Sequence, residues 1–281
     1  MSRWLNDPSS GRRVRLAPGR DERPNEFRSR SESRCPFCAG SEESTPQELD
    51  RIEGGAGGWL ARSVPNLYPA FEGADGAQEV LIESPRHTTR FADLTSEEAT
   101  AAVQLWARRI KAASQEQERR FLLLFKNEGP EAGASMAHTH SQLLALSEPP
   151  PGLIGHPPAS YLEPIIEADG LRITSPQAPR MAYEVVIEPT QDVGYEGLRE
   201  AAAAARLAGL LQSLVAGIGA VNGSPSYNLM LHTKNQTPEG PPWWIEVLPR
   251  SAVAAGLEMA TGLWINTVSP KDCVARLRER L

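Results

Sequence analysis

Cysteine is scarce in this chain: three residues in 281, at positions 35, 38 and 273. So small and odd a number excludes a disulfide-stapled scaffold and points to a reducing compartment. Positive charge is also in short supply, with 29 Lys and Arg against 35 Asp and Glu and a net charge of −6. That excludes a nucleic-acid partner held through phosphates on a basic face, but not a phosphorylated small molecule held by a few placed arginines. No uninterrupted apolar run approaches the roughly 20 residues that cross a bilayer, so no membrane partner is expected. The N-terminal stretch MSRWLNDPSSGRRVRLAPGR has no apolar run of the signal-peptide kind, and a cytoplasmic location is the expectation. What remains is 40% hydrophobic and 23% charged, enough for a real core in one large domain or two modest ones.

The pattern along the chain comes twice. Glu79–Glu83 is a short β-rich run closed by Ser84-Pro85-Arg86-His87. Thr95-Ser96-Glu97-Glu98 has the form of a capping box, and the helix behind it carries Ala102, Val103, Trp106, Ile110 and Ala113 on one face. A buried strand is expected at Phe121–Phe125, a glycine-bearing loop from Asn127 to Ala137, and a second strand from His138 to Leu146. The order then returns. Glu184–Glu188 lies 105 residues after Glu79–Glu83, an Ala/Leu-rich helix covers about 196–220, and strands fall at Tyr227–Leu231 and Trp243–Leu248. Two copies of strand–helix–strand–strand imply a duplication, and short connections imply an antiparallel sheet in an α+β fold. The expected halves are residues 1–150 and 151–281. At an offset of 104, His138, His140 and Gln142 face Pro242, Trp244 and Glu246, so the histidines are confined to the first half.

On a strand, His138, His140 and Gln142 share one face. The preceding loop, with Gly129 and Gly133, allows backbone N–H groups to approach an anion. A neutral imidazole beside such a loop is a nucleophile toward phosphorus, needing no deprotonation if its other nitrogen donates to a carbonyl. Read alone, two histidines on a strand are as readily structural. Cys35-Pro36-Phe37-Cys38 has the spacing of a zinc knuckle, but a redox pair or a chance pair fits the spacing equally well. Cys273, His156 and His232 have no motif around them, and Trp243 and Trp244 read as sheet packing.

The segment NEGPEAGASMAHTHSQLLAL resembles the active-site signature of the galactose-1-phosphate uridylyltransferase family, a branch of the histidine-triad superfamily that includes ADP-glucose phosphorylases. NDPSSGRRVRLAPGRDERP, CPFC, VPNLYPA, EVLIESPRH and IEVLPR…GLEMATGLWIN match the same family in order. The resemblance implies a duplicated histidine-triad-like fold and a two-step transfer of a nucleoside monophosphate by way of His140. In that scheme Gln142 donates to a phosphate oxygen, and Ser135 and the loop amides steady charge on the phosphates. It also implies a structural zinc ion held by Cys35, Cys38, His87 and His138. Arg20, Arg23, Asn66 and Asn127 match nucleotide-contacting residues, and Glu258 matches a sugar ligand contributed across a homodimer. Two departures stand out: Leu67 where uridylyltransferases often carry Asp, and Pro242-Trp243-Trp244-Ile245-Glu246 where relatives often carry His-Trp-His.

Three functions follow. The first is a uridylyltransferase acting between UDP-glucose and a hexose 1-phosphate. The second is an ADP-glucose phosphorylase with inorganic phosphate as acceptor. The third, of another class, is a nucleotide-binding protein without turnover.

Overall fold

Alternation in Phe121-Leu-Leu-Leu-Phe-Lys-Asn-Glu128 sends Leu122, Leu124, Lys126 and Glu128 to one face of a strand, all buried, and Leu123, Phe125 and Asn127 to the other, all half-buried. That two-sidedness runs through the molecule: one face of the sheet carries helices, the other carries polar function. The computed structural model describes residues 3–10, 12–27, 34–116, 118, 120–150, 156–161, 163–233 and 241–281.

An N-terminal hairpin of β1 (Arg3–Asn6) and β2 (Arg13–Leu16) stands apart from the main sheet. The first half then supplies β3 (Asp50–Glu53), β4 (Trp59–Pro65), β5 (Gly76–Ile82), α1 (Ser96–Ser114), β6 (Phe121–Glu128) and β7 (His140–Leu146). The second supplies β8 (Ile166–Ala168), β9 (Leu171–Thr174), β10 (Val185–Pro189), α2 (Ala201–Asn222), β11 (Tyr227–Thr233) and β12 (Trp243–Pro249), followed by α3 (Gly256–Thr261) and α4 (Pro270–Arg278). Ten strands form one antiparallel sheet in the order β3-β4-β5-β7-β6-β11-β12-β10-β9-β8. Read outward from the β6–β11 seam, both sides give the same sequence of elements, with α1 and α2 packed side by side over the sheet. This is the α+β duplication expected from the repeat. A single hydrophobic cluster takes residues from both halves, among them Trp106, Leu124, Leu207 and Ile245.

The capping box at the start of α1 forms as expected, with the Thr95 hydroxyl accepting from the Glu98 amide at 3.2 Å and Glu98 accepting from the Thr95 amide at 2.8 Å. α2 is long and apolar enough to cross a membrane, with a mean hydropathy of 1.5 over its best 18 residues. Arg206 and Gln212 interrupt its apolar sequence, and Leu207, Leu211, Leu214 and Ile218 bury their stripe in the core. The expected strand from His138 needs correcting, since β7 begins at His140. The Thr139 amide donates to Thr88 at 2.7 Å, so His138 and Thr139 follow the Ser84–Thr88 turn instead of extending the β5 ladder, which ends at Ile82–His140.

Candidate active site and metal centre

Register on β7 decides which side chains meet. Gln142 pairs with Val80 of β5 and Phe125 of β6, and His140 pairs with Ile82, so His140 and Gln142 stand on the face away from the helices. There they line a cavity of about 220 Å³ together with Arg23, Phe37, Asn66 and Ser135. A larger cavity between Asp169, Arg206 and Trp243 lies at the other end of the sheet, away from both histidines.

His140 is buried, and its Nδ1 lies 2.8 Å from the His138 carbonyl. A carbonyl only accepts, so Nδ1 carries the proton and the lone pair sits on Nε2. Burial pushes the imidazole down to about 4; the Lys126 ammonium pushes the same way and the His138 carbonyl opposes them. The ring is therefore neutral and nucleophilic at pH 7. Gln142 Oε1 accepts from Gln78 Nε2 at 2.8 Å and Asn66 Nδ2 at 3.3 Å. Ser135 is buried in the cavity wall, and its hydroxyl has no hydrogen-bond partner among the described residues. A buried orphan of that kind is a place for a ligand acceptor.

In the loop before β7, four amides turn inward. The amides of Ala132 and Ala134 donate to Gly129 O, that of Gly133 to Pro130 O, and that of Ala137 to the Glu26 carboxylate. These four are engaged within the protein and do not face an anion. The glycines serve the turn instead: Gly129 and Gly133 have φ of 85° and 79°, and a Cβ on Gly129 would stand 2.1 Å from Ser226 Oγ.

Beneath the cavity, Cys35, Cys38, His87 and His138 bring their donor atoms within 4.8 Å of one another and can hold a metal ion. His138 Nδ1 lies 3.7 Å from both sulfurs, and His87 Nδ1 lies 3.6 Å from Cys38. The His138 Nε2–H donates to the Ser84 carbonyl at 2.9 Å, which fixes the tautomer with a lone pair toward the cysteines. Burial pushes the Cys35 thiol up to about 12, so a thiolate there needs a cation beside it. Two thiolates and two neutral imidazoles in a closed set of four suit zinc rather than magnesium or calcium. Phe37, between the two cysteines, sets its ring 5.4 Å from that of His140, which ties the knuckle to that ring. The His87 turn is anchored on α1, where Ser84 and Arg86 both donate to Glu98.

Arg23 lines the cavity; Arg20 stands beside it, donating to Tyr68 O at 2.7 Å. Asn127 shares the open face but pairs across the seam with Asn228 at 2.8 Å, outside the cavity lining. Glu258 caps its own short helix through the Ala255 amide at 2.9 Å and is also outside that lining. Gln78, Glu83 and Lys126 bear on the site without a signal of their partners in the sequence, because a polar residue in a strand, or just beyond one as Glu83 is, does not say what it will meet. Of the residues without motifs, Cys273 is buried in the core and His156 is exposed. His232 stacks on Trp244 with ring centroids 4.6 Å apart.

Residues 60–150 match the family model for the galactose-1-phosphate uridyl transferase N-terminal domain. The chain is 29% identical to the ADP-glucose phosphorylase of Arabidopsis thaliana over 97% of its own length and 91% of that protein. It is 26% identical to the galactose-1-phosphate uridylyltransferase of Thermotoga maritima over 41% of this chain and 38% of that one. The crystal structure of the Arabidopsis phosphorylase with bound ADP-glucose superposes with a TM-score of 0.77 at 28% identity, covering 99% of this chain and 98% of that one. A uridylyltransferase structure gives 0.75 at 21% identity over 100% and 98% of the two chains, a likeness of fold. A duplicated histidine-triad-like sheet with these relatives defines a nucleotidyltransferase. The chain is similar to members of the galactose-1-phosphate uridylyltransferase family, the Arabidopsis ADP-glucose phosphorylase along nearly its whole length.

Proposed function

We propose that this chain moves a nucleoside monophosphate from a nucleoside-diphosphate sugar to a phosphate-bearing acceptor through a covalent bond to His140. The observation that carries this is the His140–His138 carbonyl contact of 2.8 Å, which leaves the Nε2 lone pair for the cavity. In the first half, Nε2 bonds to the α-phosphorus, the bond from that phosphorus to the bridging oxygen breaks, and the sugar 1-phosphate leaves with the electron pair. The positive charge gained by the ring is steadied by the same carbonyl. In the second half, an acceptor phosphate oxygen displaces His140, which returns to its neutral form. Gln142 and Ser135 donate to the phosphoryl oxygens, and Arg23 with Arg20 supplies positive charge at the mouth. Gln142 is not a proton shuttle, which fits a phosphate acceptor better than water.

Two donors fit this scheme. The uridylyltransferase reading takes UDP-glucose and a hexose 1-phosphate. The ADP-glucose phosphorylase reading takes inorganic phosphate in the second half, and likeness to the Arabidopsis phosphorylase along nearly the whole chain supports it. Zinc is the proposed metal at Cys35, Cys38, His87 and His138, acting as a brace for the strand that carries His140. A homodimer is proposed as well. Val253, Leu257, Met259, Leu263, Trp264 and Ile265 are all exposed in a short C-terminal stretch, a patch that a second copy would cover, carrying Glu258 toward the neighbouring site. The cytoplasm is the proposed location.

Incubation with UDP-glucose or ADP-glucose labelled in the α-phosphate tests the reaction. Label is expected on the protein from one donor and is expected to vanish in His140→Ala, with the circular dichroism spectrum unchanged. Full labelling of His140→Ala would sink the proposal. Sedimentation of the intact protein tests the dimer, with a monomer at micromolar concentration as the adverse result.

A further inference from the structure

A glutamine can face a phosphate with its NH2, which helps, or with its carbonyl, which repels. In this protein two backbone amides decide the matter for Gln142. The Ala70 N–H can only donate, so the Gln78 atom 3.0 Å from it is the oxygen. The other end of that amide, Nε2, then donates to Gln142 at 2.8 Å. Likewise the Tyr68 N–H donates to Asn66 Oδ1 at 2.9 Å, which leaves Asn66 Nδ2 to donate to the same atom of Gln142 at 3.3 Å. Two donors converge on one atom, and that atom must be the carbonyl oxygen. The NH2 of Gln142 is the end left for the cavity.

Gln78 is buried on β5, two residues before Val80, the partner of Gln142, and it is outside the cavity lining. It touches Gln142 and not the space a substrate would fill. We propose that Gln78 is a positioning residue: it locks the Gln142 amide with its NH2 toward the transferred phosphoryl group, where charge spreads over the equatorial oxygens in the transition state. This rests on the nucleotidyl-transfer reading of His140.

Two substitutions at Gln78 separate a lock from a filler. Gln78→Met keeps the volume and leaves only the longer Asn66 bond to hold the amide. Gln78→Glu offers acceptors both to the Ala70 N–H and to Gln142, and so draws the Gln142 NH2 away from the cavity. The rate of nucleotidyl-enzyme formation is expected to fall about tenfold in Gln78→Met. In Gln78→Glu the fall is on the order of 10²-fold, as when a donor to a developing oxyanion is lost. KM for the nucleotide sugar should hold within about twofold, because the interaction belongs to the transition state. In a Gln142→Ala background both substitutions should be silent. A further fall in that background, or equal rates in all Gln78 variants, would overturn the proposal.

A readout without turnover keeps it apart from the reaction itself. In nitrogen-labelled protein, the side-chain NH2 signal of Gln142, identified by its loss in Gln142→Glu, should shift on addition of AMP or UMP and should not shift in Gln78→Glu. A shifting signal with no nucleotide on His140 would defeat the transfer reading while upholding the lock. A labelled His140 with an unmoved Gln142 signal would defeat the lock alone.

Discussion

Lys126 Nζ lies 2.7 Å from Glu83 Oε2, both side chains all but fully buried, directly behind the strand that carries His140. Lys126 also donates to Thr139 Oγ1 at 2.6 Å and to the His140 carbonyl at 3.2 Å. Glu83 accepts in addition from Thr139 at 2.8 Å, from Trp106 at 3.2 Å and from Ser141. The two residues flanking His140 are thus held from the helix side while its ring is presented on the other.

Removing one charge strands the other. Lys126→Met should destabilise the protein by about 3–5 kcal/mol, the usual cost of a buried ion left unpaired. The double substitution Lys126→Met with Glu83→Gln should cost less than Lys126→Met alone, since Glu83 is no longer left as a naked carboxylate and only Glu128, 3.5 Å from Lys126, loses its cation. Urea unfolding of the parent and the two variants checks this. A double variant weaker than Lys126→Met would contradict it.

Ser135→Ala makes the opposite prediction. The hydroxyl has no partner among the described residues, so its loss should leave unfolding free energy within about 0.5 kcal/mol of the parent. Affinity for the phosphate part of the substrate should fall about tenfold, the worth of one hydrogen bond to a charged group. Calorimetry with a nucleoside monophosphate, beside a melting curve, measures both.

Metal analysis of protein purified without chelator should find about one zinc per chain, as a closed site of four ligands takes one ion. Cys38→Ser should lose most of it. Because His138 is one of the four candidate ligands and its carbonyl holds the His140 ring, chelation should lower the melting temperature and slow labelling of His140 together. Unchanged labelling in metal-free protein would show that the brace and the nucleophile are uncoupled.

Acid should release the turn that carries His87. Burial works against charge on Glu98, yet the bonds from Arg86, the Thr95 amide and Ser84 together hold its carboxyl down to about 2. Its unfolded value is about 4.3. The folded pKa is the lower one, so the contribution is complete above about pH 5 and is lost as pH falls toward 2. The gap in melting temperature between the parent and Glu98→Gln should therefore be full at pH 6 and shrink steadily below pH 4.5. A gap independent of pH would rule this out.

Local signals in the chain were enough for the helix from Ser96, the strands that pair across the sheet and the doubling of the pattern, because periodicity and capping act between near neighbours. Spacing alone also put His140 and Gln142 on a common face, since side chains alternate in any strand. The partners of those two residues were set elsewhere. Gln78 and Lys126 lie in strands and Glu83 just beyond the end of β5, and nothing local says which groups they meet. They acquire meaning only when β5, β6 and β7 lie side by side and bring their partners within reach. The same holds for the four candidate metal ligands, which come from three separate stretches of chain, and for the four loop amides that the fold engages internally. Short-range geometry is written in the order of residues; hydrogen-bond polarity and burial belong to the assembled sheet, because both depend on atoms far away in the chain.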